Sequence, residues 1–137
     1  MKISTAYPLI TTTQLAASRD FYRTHFRMHI IFEASWVVML GVTDEICLGL
    51  MAPDHPTNPP GPEAFDGRGM ILTIQVEDAA EAHAALKRGG APIIYELTSE
   101  PWGQRRFVTR DPGGTLIDVV EQIEPAAGYW DKFASAV

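Results

Sequence analysis

The feature that most constrains this chain is that it repeats itself. Strand-like YPLITTT (7–13) leads into a helical stretch, LAASRDFYRTHF (15–26), and then into HIIFEA (29–34). The same order returns downstream as MILTIQV (70–76), AAEAHAALKRGG (79–90) and APIIYEL (91–97). A shift of about 63 residues superimposes strand, helix and second strand. WVVMLGV (36–42) then matches RFVTRDP (106–112), and EICLGLM (45–51) matches TLIDVVE (115–121), with a short insertion around SEPWGQ. Each half reads as β-α-β-β-β, so the expected fold class is α+β, built from two βαβββ modules. Such a chain buries roughly two thirds of its unfolded surface, enough for a core without staples.

The boundaries have local causes. Asp78 is placed to cap the second helix, with Glu81 three residues on, and Gly89-Gly90 supply a positive-φ stop. Asp111-Pro112-Gly113-Gly114 reads as the turn between two alternating strands. Residues 51–69 hold five of the ten prolines, which excludes a helix or central strand there. The expected organisation is a single domain: module one over about 5–52, a proline-rich linker over about 53–68, module two over about 69–122 and a tail over 123–137. The tail carries Tyr129, Trp130 and Phe133 on what reads as one helical turn.

Composition narrows the classes of function. With 17 acidic against 11 basic side chains the net charge is −6, and the basic residues are scattered, which argues against nucleic acid. Cys47 is the only cysteine, so an intramolecular disulfide and a thiolate zinc site are both excluded. No apolar run approaches the ~20 residues of a membrane span, and the first residues lack a signal peptide's apolar core. The expected compartment is the cytoplasm.

Two βαβββ modules, the first with Phe21-Tyr22 near the end of its helix and the second with Asp111-Pro112-Gly113-Gly114 before its last strand, resemble the vicinal oxygen chelate superfamily. It contains glyoxalase I, extradiol dioxygenases, fosfomycin-resistance enzymes and bleomycin-resistance-type drug-binding proteins. The resemblance implies two modules in a pseudo-two-fold arrangement, each a half-open barrel with a concave binding face. Enzymatic members hold a divalent metal with His and Glu on their strands, residue types that suit such ions while leaving positions open for substrate. By count those positions fall at Tyr7, near Leu48 or Gly49, at about Ile71, and at Asp118. Only Asp118 is a ligand type, so no metal and no other cofactor is expected. His25, His29, His55 and His83 fall on helices, loops or helix ends, where they read as ordinary histidines. A lone carboxylate on an apolar strand is costly, so Asp118 must face solvent, an arginine or a ligand.

Against the bleomycin-resistance type the resemblance extends to details. AYPLITTTQLAASRDFY is similar to the opening strand and helix of those proteins, where a proline such as Pro8 marks the crossing of the first strand to a partner subunit. A proline inside a strand argues equally for a plain edge. EPWGQRRFVTRDPGG is similar to the segment whose tryptophan, here Trp102, lines the drug cleft. Trp102-Gly103 lies in a loop that can present a flat ring for stacking. Phe32 and Trp36 lie close to other aromatic cleft positions. The expected ligand-binding set is Tyr7, Phe32, Trp36, Trp102, Gly103, Phe107 and Asp118, with Pro8 as the hinge of a dimer arm. Alternation puts Leu116 and Val120 on the face of Asp118, Tyr7 with Leu9 and Thr11, and Phe107 with Arg105 and Thr109.

Three readings of function follow. The first is a metal-free homodimer, its first strand swapped or not, that sequesters an antibiotic or similar natural product, cationic or bearing flat aromatic groups. The second is a metal-dependent lyase, isomerase or dioxygenase with ligands displaced to residues such as Glu45, Glu121 or His55. The third is metal-free acid–base chemistry at Tyr7 and Asp118. The first absorbs the most residues.

Overall fold

The structure, a computed structural model, describes residues 1–133. The chain forms two compact units, Met1–Met70 with Asp111–Thr115, and Ile71–Arg110 with Leu116 onward.

In the first unit the elements are β1 (Leu9–Thr11), α1 (Leu15–Phe26), β2 (His29–Ala34), β3 (Val37–Gly41) and β4 (Leu48–Met51). They make one four-stranded sheet in the order β1-β4-β3-β2, with β1 parallel to β4 and the other pairs antiparallel. β1 is therefore an edge strand, and Pro8 stands just ahead of it with its carbonyl accepting from Gly49 N at 2.9 Å. A residue without an N–H is at no cost in that position. α1 covers one face of the sheet through Phe21 and Tyr22, above Leu40, Leu48 and Leu50, all of them buried. The helix ends without a glycine: Arg27 itself takes the left-handed conformation, φ 54°, and its N–H returns to Tyr22 O. Nothing in the local sequence signals that stop.

Asp111–Thr115 is anchored in this unit. Tyr22 Oη donates to Asp111 Oδ2 at 2.7 Å, and Asp111 Oδ1 accepts from Thr115 N at 2.9 Å, all three residues being buried. Burial, then the charge of Asp111 and the bond to it, raise the Tyr22 pKa far above that of an ordinary phenol. Gly113 is required by close approach, since a Cβ there would run into Thr12 Oγ1.

The second unit repeats the plan with β5 (Leu72–Gln75), α2 (Ala79–Arg88), β6 (Tyr95–Glu100), β7 (Gln104–Arg110) and β8 (Leu116–Gln122), ordered β5-β8-β7-β6. Again the first strand is parallel to the last and the rest are antiparallel. The expected α+β class and the duplicated βαβββ plan are both present, and each sheet is open at its edges. Asp78 accepts from Glu81 N at 3.0 Å, as the cap predicts. Only Gly90 of the glycine pair takes a positive φ, 83°, while Gly89 stays right-handed at −77°. β6 starts at Tyr95, later than the apolar run 91–97 suggests, and that run contains Pro92, which has no N–H for a ladder. After β8 the chain turns back, and the described residues finish with a short 3-10 turn, Asp131–Phe133.

β7 faces the other way from the expected one. Phe107 is fully buried and meets the His83 ring of α2 edge-on at 5.2 Å. Its register partner is Val119, also fully buried. Phe107 is therefore a core residue on the helix side, with Arg105 and Thr109, and not a lining residue of an open face. The face of β7 away from α2 carries Gln104, Arg106 and Val108 instead, paired with Gln122, Val120 and Asp118 of β8.

Candidate functional site

In the first unit the expected aromatic residues are accessible. Glu33 of β2 reaches Arg19 of α1 at 2.8 Å, so by alternation Phe32 points away from the helix, where it is 56% exposed. Leu9 and Met39 share that face, and their side chains close over Gly49: a Cβ there would lie 2.7 Å from Leu9 Cδ1 and 3.0 Å from Met39 Sδ. Tyr7 is exposed but lies ahead of β1, so strand alternation does not reach it. Trp36 is half-buried in the turn between β2 and β3, its carbonyl accepting from Ala52 N at 2.9 Å.

The second unit has the denser chemistry, on the face of its sheet opposite α2. Asp118, only 8% exposed, faces an arginine, one of its three expected environments. Arg106 Nη1 donates to Asp118 Oδ1 at 3.3 Å, and Arg106 Nε donates to Glu100 Oε2 at 2.8 Å. Glu100, at the end of β6, is also 8% exposed, and the same oxygen accepts from Tyr95 Oη at 2.9 Å. The guanidinium carbon lies 4.9 Å from the ring centre of Tyr95 and 5.2 Å from that of Trp102. Burial works against the charge of Arg106, but its bonds to Glu100 and Asp118 outweigh that, and its pKa is raised. Trp102 and Asp118, sixteen positions apart in the chain, thus meet through a residue that the motif comparison passed over.

Trp102 is held from both sides. It sits in the hairpin turn between β6 and β7, where Gly103 adopts φ 110° and its N–H bonds Glu100 O at 3.1 Å. The indole Nε1 donates to Gln104 Oε1 at 2.9 Å. The C-terminal tail then clasps the turn. Ile123 N donates to Gly103 O, Ala126 N to Pro101 O and Trp130 Nε1 to Trp102 O, each at 2.9 Å. Three consecutive carbonyls of the loop are thereby fixed by the tail, whose own aromatic residues pack together, with Tyr129 5.3 Å from Trp130 and 5.6 Å from Phe133.

Among the described residues no three His, Cys, Asp or Glu side chains gather to hold a metal ion. Glu100 and Asp118, the nearest approach to a donor pair, are both engaged by Arg106. His55 bonds Gly61 O and Thr57 Oγ1 in the linker, and His83 bonds Glu96. These donors do not fit a resident metal. Among the described residues, too, no helix is long and apolar enough to cross a membrane.

Residues 4–119 match the family model described as the Glyoxalase/Bleomycin resistance protein/Dioxygenase superfamily. No curated protein matches. The fold recurs in solved structures. An integron cassette protein from the mobile metagenome of V. Cholerae is 20% identical with a TM-score of 0.70, covering 88% of this chain and 97% of the other. A lactoylglutathione lyase from Agrobacterium tumefaciens is 19% identical at 0.69, covering 88% and 96%. TioX from Micromonospora sp. ML1 is 18% identical at 0.67, covering 88% and 100%.

Proposed function

Because the chain belongs to the Glyoxalase/Bleomycin resistance protein/Dioxygenase superfamily, whose fold serves unrelated activities, we propose on the strength of its site that it is a binding protein. It holds a flat aromatic natural product of the antibiotic kind and leaves that molecule chemically unchanged. The observation that carries this reading is Trp102, fixed at three backbone carbonyls beside Arg106 and Tyr95. A ring immobilised before the ligand arrives lowers the ordering cost of stacking. Asp118 and Glu100 hold Arg106 in the unliganded protein, and Gly103 supplies the backbone turn rather than a contact. Enzymatic use of the carboxylates would need a free acid or base, whereas both are committed to a guanidinium.

In the first unit, Tyr7, Phe32 and Trp36 are the proposed ligand-binding residues. The protein works as a homodimer: Ile3 and Leu9 are exposed apolar side chains at or ahead of the β1 edge, and a second copy covers them. Pro8 is the hinge of that arm. Sedimentation at micromolar concentration tests the dimer, and a monomer would remove it.

The functional experiment is incubation with a panel of planar heteroaromatic antibiotics, followed by calorimetry and mass spectrometry of the recovered ligand. One unmodified ligand per site supports sequestration. Recovery of a cleaved, isomerised or conjugated ligand would overturn it in favour of an enzyme, and near-stoichiometric metal in untagged protein would point the same way.

A further inference from the structure

The face of the second sheet away from α2 already holds a planar cation, and it is the protein's own. Around the Arg106 guanidinium stand two carboxylates, Glu100 and Asp118, and two aromatic rings, Tyr95 and Trp102. Charge-assisted hydrogen bonds in the plane and π faces above it are what a guanidinium, an amidinium or a charged heteroaromatic ring selects. The group carries one unit of net negative charge with Arg106 in place and two without it. Each carboxylate turns one oxygen to Arg106, and the other, Glu100 Oε1 or Asp118 Oδ2, has no hydrogen-bond partner among the described residues. Buried carboxylates are costly when unpaired, which explains why an arginine is kept there. Its side chain is nevertheless 23% exposed, on a long flexible stem that can carry the head into solvent.

We propose that this nest is a recognition site for a planar cationic group on the bound molecule, and that Arg106 is an internal stand-in which the ligand displaces. The proposal rests on the binding reading above and deepens it by naming the ligand's chemistry. A neutral ring cannot take the place of Arg106, because the two carboxylates would be left unpaired. A small cation without a ring gains no stacking on Trp102 and loses to the tethered guanidinium. Only a molecule with both features wins, so the arginine acts as a filter against near misses.

The test uses benzamidinium, a ring with N–H donors on a planar cation, and neutral benzamide as matched probes of the full chain by tryptophan quenching and calorimetry. The variants are Arg106→Met, which keeps the bulk of the stem, and Arg106→Met with Asp118→Asn, which relieves the charge left behind if the single variant does not fold. The folded variant is expected to bind benzamidinium at least about tenfold more tightly than the wild type does, and at least about tenfold more tightly than benzamide. Adding Glu100→Gln should abolish that preference. Equal affinity for the two probes, or no gain over the wild type, overturns the proposal. If benzamide binds the wild type and Trp102→Ala abolishes that binding with no preference for the cation, sequestration stands and the cation site falls. If the cation preference appears but the probe is recovered chemically altered, the cation site stands and sequestration falls.

Discussion

Replacing Tyr22 with Phe isolates one buried hydrogen bond with little else disturbed. Tyr22 is fully buried, its hydroxyl lies 2.7 Å from Asp111 Oδ2, and its ring meets Phe21 edge-on at 5.7 Å and Phe26 at 6.1 Å. Phenylalanine keeps the ring contacts and removes a single donor. What is lost is a bond to a carboxylate, typically worth about 1.5–3 kcal/mol, and a buried acceptor is left short of a partner. Asp111 keeps its bond from Thr115 N, which places the expected loss near 2 kcal/mol. For a chain of this length that is a fall in Tm of roughly 6–10 °C. Urea unfolding followed by fluorescence should move the midpoint without changing the slope.

Alkali supplies a second arm. The folded pKa of Tyr22 is raised, mainly by burial, while an unfolded tyrosine titrates near 10. The bond's stabilisation is therefore fully present below pH ~10, and it declines above that as the unfolded chain releases a proton that the folded chain keeps. The wild type's advantage over Tyr22→Phe should shrink by about 1.4 kcal/mol per pH unit there. A loss below about 0.5 kcal/mol at neutral pH, or a gap between the two proteins that stays constant through pH ~11, would refute the reasoning.

Three further outcomes follow from the second unit. Trp102→Ala should weaken a stacking ligand by about 1–3 kcal/mol in calorimetry while leaving far-UV circular dichroism unchanged, and unchanged affinity would remove Trp102 from the site. Trp130→Phe keeps a ring but loses the donor to Trp102 O, so hydrogen exchange at Trp102 and Gly103 should quicken and ligand affinity should fall by about 0.5–1.5 kcal/mol. Gly103→Ala forces a Cβ onto a residue at φ 110° and to 3.1 Å from Ile123 O, which should cost about 2 kcal/mol or more in urea unfolding; a neutral result would mean that the turn is looser than described.

The fold was legible because the chain states it twice. Helices with apolar spacing, the Asp78 cap and the Asp111–Gly114 turn each carry a local signal, and the shift between halves supplies the order of the strands. The site was half legible. Trp102 and Asp118 could be singled out, since a tryptophan flanked by Pro101 and Gly103 and a carboxylate among valines are both out of place in a bland strand. Arg106 was hidden by a choice of face. Period-two alternation says that Arg106 and Phe107 point opposite ways, but not which of them points inward. Assigning Phe107 to the open face sent Arg106 to the helix side, away from Asp118. The burial rule decides otherwise: a phenylalanine takes the sealed side and an arginine the side with water at its edge. Glu100 and Tyr95 could not be read at all, because their part depends on the register shift between Tyr95 and Thr98, which no local residue type announces.

The clasp on the Trp102 turn has a consequence for how such a protein can change. All three bonds from the tail end on main-chain carbonyls, of Pro101, Trp102 and Gly103, so none of them reads the side chain at position 102. Ring size, polarity or shape can be exchanged there while the anchorage stays the same. Selectivity and folding are thus written in separate atoms of one loop, which makes position 102 the natural place for a lineage, or a mutant library, to explore new ligands at little structural risk.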